Sequence, residues 1–196
     1  MFKNQKQNYL LAITLIITAI MMRLVPHLPN FAPMTAAAIF GAAYLPKRYA
    51  LILPLLAVAI SDYALLYVSP FSSQIFDFST IHPLSALVHT TTLFVWGSFM
   101  ISGLLGLALR KNHKLTRVAG VSVIAALQFY LITNFGVWAM GAYTRDISGL
   151  IASYVAGLPF LRWTLLGDLF FTTSFFAIYE YAKATQAKLQ LAVSRI

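Results

Sequence analysis

An all-α, polytopic membrane protein with six transmembrane helices is the fold class predicted for this 196-residue chain. Three observations predict the helical membrane bundle. Hydrophobic residues make up 60% of the chain and charged residues only 10%, against about 25% charged in a soluble domain. The mean hydropathy is +0.78. Apolar segments recur six times between prolines and basic loops, with no long period-two alternation of the kind a barrel needs. A soluble globular protein and a disordered chain are both excluded by such a composition. Six spans of ~20 residues use roughly 120, so residues 1–196 form one integral membrane domain with no room for a separate soluble one.

Helix 1 is read over residues 9–24. Lys3 and Lys6 precede it as in a signal peptide, but no small-x-small cleavage site stands before Arg23, so it is kept as a span. Pro26, Pro29 and Pro33 then break the chain, since each lacks a donor and restricts the residue before it. Helix 2 covers 34–45 and is stopped by Pro46, and helix 3 covers 50–68, followed by Pro70. Pro83 fits the first turn of helix 4, 84–109. Helix 5 covers 118–140 and helix 6 covers 161–182. Residues 149–157 are apolar but too short to span, and are read as a separate interfacial or re-entrant helix.

The basic residues give the orientation. Lys3, Lys6, Lys47, Arg48, Arg110, Lys111, Lys114, Arg117, Lys183, Lys188 and Arg195 fall on one side of this arrangement, and Arg23, Arg145 and Arg162 on the other. The positive-inside rule puts both termini of this multi-pass arrangement in the cytoplasm. The net charge of +9 is thereby topological, facing anionic membrane lipids, and no nucleic acid is expected as a partner. The chain has no cysteine, which excludes disulfides, thiolate metal sites and a cysteine nucleophile.

Polar residues inside the spans are costly, at least ~2.5 kcal/mol for an ionised group at mid-bilayer. Asp62, Asn134 and Asp168 each lie six or seven residues from the outer end of a predicted helix. At 1.5 Å per residue they share a depth of roughly 9–10 Å. They form either a ligand site or the polar glue of the bundle, with Asp62 or Asp168 pairing with Arg23. Outer loops add His27, Asn30, Asp77, His82, Tyr143, Arg145, Asp146 and Tyr154 among Phe71, Phe76, Phe78 and Phe160, a few polar groups in an aromatic setting as in small-molecule pockets. His82 and His89, seven apart, are expected on one face of helix 4 with Trp96 further in. Glu180 is expected to face headgroups or Lys183. There is no GxSxG, P-loop or HExxH, so the chain is read as a non-enzyme without intrinsic cofactor, and any ATP-driven step must come from a partner.

The stretches RLVPHLPNFAPMTAAAIFGAAYLP (residues 23–46), PLLAVAISDYAL (54–65), ITNFGVWAM (132–140) and GLPFLRWTLLGDLFF (157–171) resemble an uncharacterised six-helix bacterial membrane family. That family is grouped with the substrate-binding S-components of energy-coupling factor (ECF) vitamin transporters, the solitary cobalamin-type S-component being the nearest named likeness. The resemblance implies an S-component-like bundle in the bacterial inner membrane, with a vitamin held at the outer side by loops 1–2, 3–4 and 5–6. It further implies either an ECF ATPase and transmembrane module as partner or solitary action. Two departures stand out. Helix 1 has no AxxxA pattern, the nearest being Ala38–Ala42 on helix 2, and the loop cysteine that ligates cobalt in cobalamin-type members is missing. His82, in the same loop, offers a nitrogen ligand to the cobalt of a bound corrinoid.

The expected function is therefore vitamin uptake across the inner membrane, with a corrinoid as first candidate and another vitamin or a queuosine-type precursor as alternative. The expected binding residues are His27, Asn30, Asp62, Phe76, Phe78, His82, Asn134, Trp138, Tyr143 and Asp168. A structural or assembly subunit, whose polar layer only fastens helices, is the rival from another class, and a small intramembrane enzyme a further one.

Overall fold

The computed structural model describes the whole chain except residues 1, 26–27, 47–48, 50–51, 70–74 and 194–196. Its described residues form six α-helices: α1 (Phe2–Leu24), α2 (Met34–Tyr44), α3 (Ile52–Ala64), α4 (Thr92–Leu107), α5 (Leu115–Ala139) and α6 (Ile147–Val193). A 3₁₀ turn, Leu84–Leu87, precedes α4. The all-helical class holds. Two of the helices, α5 and α6, are long and apolar enough to cross a membrane, while the other four contribute shorter apolar stretches.

α2 organises the bundle. Its sequence, MTAAAIFGAAY, is mostly small residues, and every residue from Met34 to Ala43 is buried. Small side chains let neighbouring backbones approach closely, and α2 touches each of the other five α-helices. The closest approach is to α4 at Gly106, where a Cβ would lie 2.7 Å from the Ile39 Cα. Only glycine fits that crossing. Phe40 is fully buried and packs edge-on against Phe175, Phe176 and Tyr179 of α6, with ring centroids 5.5–5.9 Å apart. The faces turned away from α2 carry exposed Leu10 and Ile17 (α1), Ile60 (α3), Leu93 and Leu104 (α4), Leu131 (α5) and Phe170 (α6). An apolar exterior thus surrounds a core that is itself mostly apolar, with buried serines and threonines among alanine, aliphatic and phenylalanine side chains.

Three sequence expectations need correction. Residues 149–157 are not a separate helix, because α6 runs unbroken from Ile147 through Pro159 to Val193. Proline removes one ladder bond, but α6 is secured on both sides of that point. The Tyr130 hydroxyl donates to the Tyr154 carbonyl (2.7 Å), the Tyr154 hydroxyl to the Leu131 carbonyl (3.0 Å), and the Ser153 hydroxyl to the Asn134 carbonyl (2.8 Å). Beyond Pro159, Phe171 and Phe176 are buried.

Helix 4 does not start at 84. Pro83 opens the 3₁₀ turn, Val88 is extended, and Thr92 ends the interruption by accepting a hydrogen bond from the His89 amide (2.8 Å). His82 and His89 therefore share no helical face. Finally, α3 ends at Ala64 and not at 68. The chain then turns, and Val68 bridges to Phe76. Smaller shifts move the start of α5 to Leu115 and that of α1 to Phe2.

Candidate functional site

The connection between α1 and α2 contains Leu28-Pro29-Asn30-Phe31, closed by the Phe31 amide donating to the Leu28 carbonyl (2.9 Å). Proline suits the second position of such a turn, and asparagine tolerates the positive φ of 63° that the third requires. The turn sets Asn30 where two cavities adjoin. One, of about 230 Å³, is lined by Arg23, Asn30, Thr35, Phe99, Thr164 and Asp168 among others. The second, of about 350 Å³, is lined by Thr133, Asn134, Tyr143, Ser153, Gly157 and Phe160 among others. Asn30, Phe129 and Thr164 belong to both.

Most of the α6 residues in the two linings lie between two of its contacts with α5. Tyr130 meets Tyr154 and Ser122 meets Thr172 (3.4 Å). Between those contacts α5 advances eight residues and α6 eighteen, about 12 Å against about 27 Å of helical rise. The interval contains Pro159, so the unbroken α6 carries a proline beside the cavities. Near the start of this interval Gly157 sits directly on Asn134, where a Cβ would lie only 2.7 Å from the side-chain amide nitrogen.

The charged groups divide the work. Arg23 pairs with Asp62 at 2.6 Å and also donates to the Ser61 hydroxyl. The Trp96 indole N–H donates to the second Asp62 oxygen at 2.8 Å. Asp62 thus ties α1, α3 and α4 together and contributes nothing to either lining. Asp168 differs. It is 2% exposed, accepts a hydrogen bond from the Thr35 side chain, and its Oδ2 has no hydrogen-bond partner among the described residues. A buried carboxylate oxygen left unpaired beside a cavity is costly unless something fills the cavity.

Of the residues that the sequence marks as candidates, Asn30, Asn134, Tyr143 and Asp168 line the paired cavities. Trp138 lies beside them, donating to the Thr144 carbonyl at 3.0 Å. Phe76, Phe78 and His82 gather elsewhere, around Tyr67. Phe78 stacks on it at 5.8 Å, Phe76 on Phe78 at 6.3 Å, and the His82 ring meets Tyr67 edge-on at 5.2 Å. The backbone of His82 is pinned by the hydroxyls of Tyr63 and Tyr67. His27 and Phe71 lie outside the described residues. Among the described residues no three His, Asp or Glu side chains converge as a resident metal would need. Thr35, Phe99, Phe129 and Thr164 join the lining without any mark in the sequence. Threonine and phenylalanine in apolar helices carry no signal of their own.

At the opposite end of α6, Glu180 accepts from the Tyr44 hydroxyl (2.7 Å) and lies 3.3 Å from His113 and 3.8 Å from Lys183. Lys183 is the partner expected from the sequence; Tyr44 and His113 add a tie from α6 to α2 and to the loop before α5.

The model of the Family of unknown function (DUF6580) matches residues 3–190, nearly the whole chain and every residue of the site. The chain belongs to that family. Neither a curated protein nor a solved structure matches it. In this DUF6580 member the match spans all six helices, so bundle and cavities lie within the family's own domain.

The turn into α6 carries a pH-dependent element. Asp146 accepts hydrogen bonds from the Gly149 amide (2.7 Å), the Ser148 hydroxyl (2.8 Å) and the Thr144 hydroxyl (2.9 Å). Led by the Gly149 bond, these hold its carboxyl below the usual carboxylate range. A lowered folded-state pKa stabilises above the unfolded value of about 4, and that contribution is lost as pH falls through the folded value. The melting-temperature gap between wild type and Asp146→Ala should be full at pH 6 and narrow progressively below pH ~4. A gap of the same size at pH 3 and pH 6 would refute the cap.

Proposed function

We propose that this protein is a multi-pass protein of the bacterial inner membrane that captures a small molecule on its outer side for uptake, in the manner of a vitamin-binding S-component. One observation carries the reading: the buried, half-satisfied Asp168 carboxylate beside a cavity that also receives Asn30, Thr35 and Thr164. A helix-fastening acid has no need of a cavity, and Asp62, which does fasten helices, has both oxygens engaged. The exposed apolar exterior and the eleven-to-three division of basic residues support six spans with both termini inside.

Of the two cavities, about 230 and 350 Å³, the first falls below and the second at the small end of the ~300–1,000 Å³ range of small-molecule sites. That size favours another vitamin or a queuosine-type precursor over a corrinoid. The corrinoid alternative rests on His82, which packs on Tyr67 apart from both linings. Coupling to an ECF ATPase module or solitary action is compatible with either ligand.

Mass spectrometry of small molecules released from the purified protein tests the proposal. A vitamin-like compound is expected from wild type and is expected to be depleted at least tenfold from Asp168→Ala of equal yield. Wild-type protein that releases no small molecule, in cells whose vitamin uptake is unchanged by deletion, would favour the assembly-subunit reading.

A further inference from the structure

The geometry points to the chemical class of the ligand: a small planar nitrogen heterocycle that presents neighbouring N–H donors, amidine- or guanidine-like, to Asp168, and not a carboxylate-bearing molecule. This rests on the uptake reading and goes beyond it by assigning polarity to the cavity. The lining offers acceptors because several of its hydroxyl protons are already committed. Thr164 donates to the Phe160 carbonyl (3.1 Å), Thr133 to the Phe129 carbonyl (2.8 Å) and Ser153 to the Asn134 carbonyl (2.8 Å). Thr35 is engaged with Asp168, and the Asn134 amide donates to the Tyr130 carbonyl (2.8 Å). Each hydroxyl oxygen keeps acceptor capacity after its proton is used.

Charge leads to the same polarity. Arg23 is the one cation in the two linings, and Asp62 neutralises it at 2.6 Å. Asp168, the other acid at this end of the bundle's interior, has no ion pair among the described residues, and its Oδ2 is open. A carboxylate accepts two parallel N–H bonds from a planar fork more strongly than it accepts single neutral donors. A ligand carboxylate would instead set a second acid against Asp168, and two carboxyl groups share one buried site only by keeping a proton between them. The rings of Phe99, Phe129 and Phe160 provide flat apolar walls for such a heterocycle.

The probes are a matched pair on one ring system, 2-aminobenzimidazole and benzimidazole-2-carboxylate, titrated into the full-length protein in detergent by calorimetry. The amino compound should bind wild type at least about tenfold more tightly than the carboxylate, and Asp168→Asn should lose at least about tenfold of that affinity. If Asp168→Asn does not fold, the preference of wild type between the two probes decides alone. Equal or tighter binding of the carboxylate, unchanged affinity in a folded Asp168→Asn, or no binding of either probe overturns the ligand class. Release of a vitamin-like compound lacking such donors would overturn it while leaving the uptake reading intact. Loss of both the released compound and all probe binding would remove both.

Discussion

Asp62→Ala should be among the most destabilising single substitutions in the chain, lowering stability by roughly 3 kcal/mol, the lower end for breaking a buried ion pair. The lower end applies because the Arg23 and Asp62 side chains keep 19% and 15% of their exposure. Removing the carboxylate strands the Arg23 guanidinium at the end of α1 and leaves the Trp96 indole N–H without its acceptor. Both penalties fall on mostly buried groups, where water replaces the missing partner only in part. The double substitution Arg23→Met with Asp62→Leu removes both charges and should recover most of the loss. Thermal unfolding of the three variants in one detergent checks this. Equal melting temperatures for wild type and Asp62→Ala would show that the pair contributes nothing to the bundle.

Gly106→Val is the second large effect expected. A Cβ at position 106 would collide with the Ile39 carbonyl oxygen and lie 2.7 and 2.9 Å from its Cα and carbonyl carbon. These are backbone atoms of the fully buried helix α2, so relief requires α4 and α2 to separate, at a cost of about 1–3 kcal/mol or more. Gly97 and Gly120 are the controls, since a Cβ at either meets nothing within 4 Å. Alanine there should be neutral or add up to ~1 kcal/mol through helix propensity. If Gly106→Val melts with the wild type, the α2–α4 crossing is not as close as described.

Much of this architecture is legible in the amino-acid pattern, and the exceptions have physical causes. The apolar runs and the prolines between them mark α1, α2 and α5 to within a few residues at most ends. The cost of polar groups in hydrocarbon points to Asn134 and Asp168, both of which line the cavities. Asp62 shares their predicted depth but not their surroundings, because Trp96, thirty-four residues away, takes its second oxygen. Local rules make Pro159 a helix boundary, whereas the hydrogen bonds from Tyr130 and Ser153 that secure α6 are tertiary. Composition alone assigns the aromatic loop 3–4 to the site. It instead packs on Tyr63 and Tyr67, the neighbours that α3 supplies by ending early. Short-range spacing does not reveal which of two aromatic clusters adjoins a void.

The shortness and complete enclosure of α2 bear on how the protein is made. Eleven residues rise only about 16 Å, roughly half of a ~30 Å hydrocarbon core. Such a segment, read alone as it leaves the ribosome, has too little apolar length to partition stably into lipid. Its side chains become enclosed only when α4 and α6 close around it. On the six-span reading, α2 therefore reaches its enclosed position only after α4 and α6 have been synthesised, although it is the second helix to be translated.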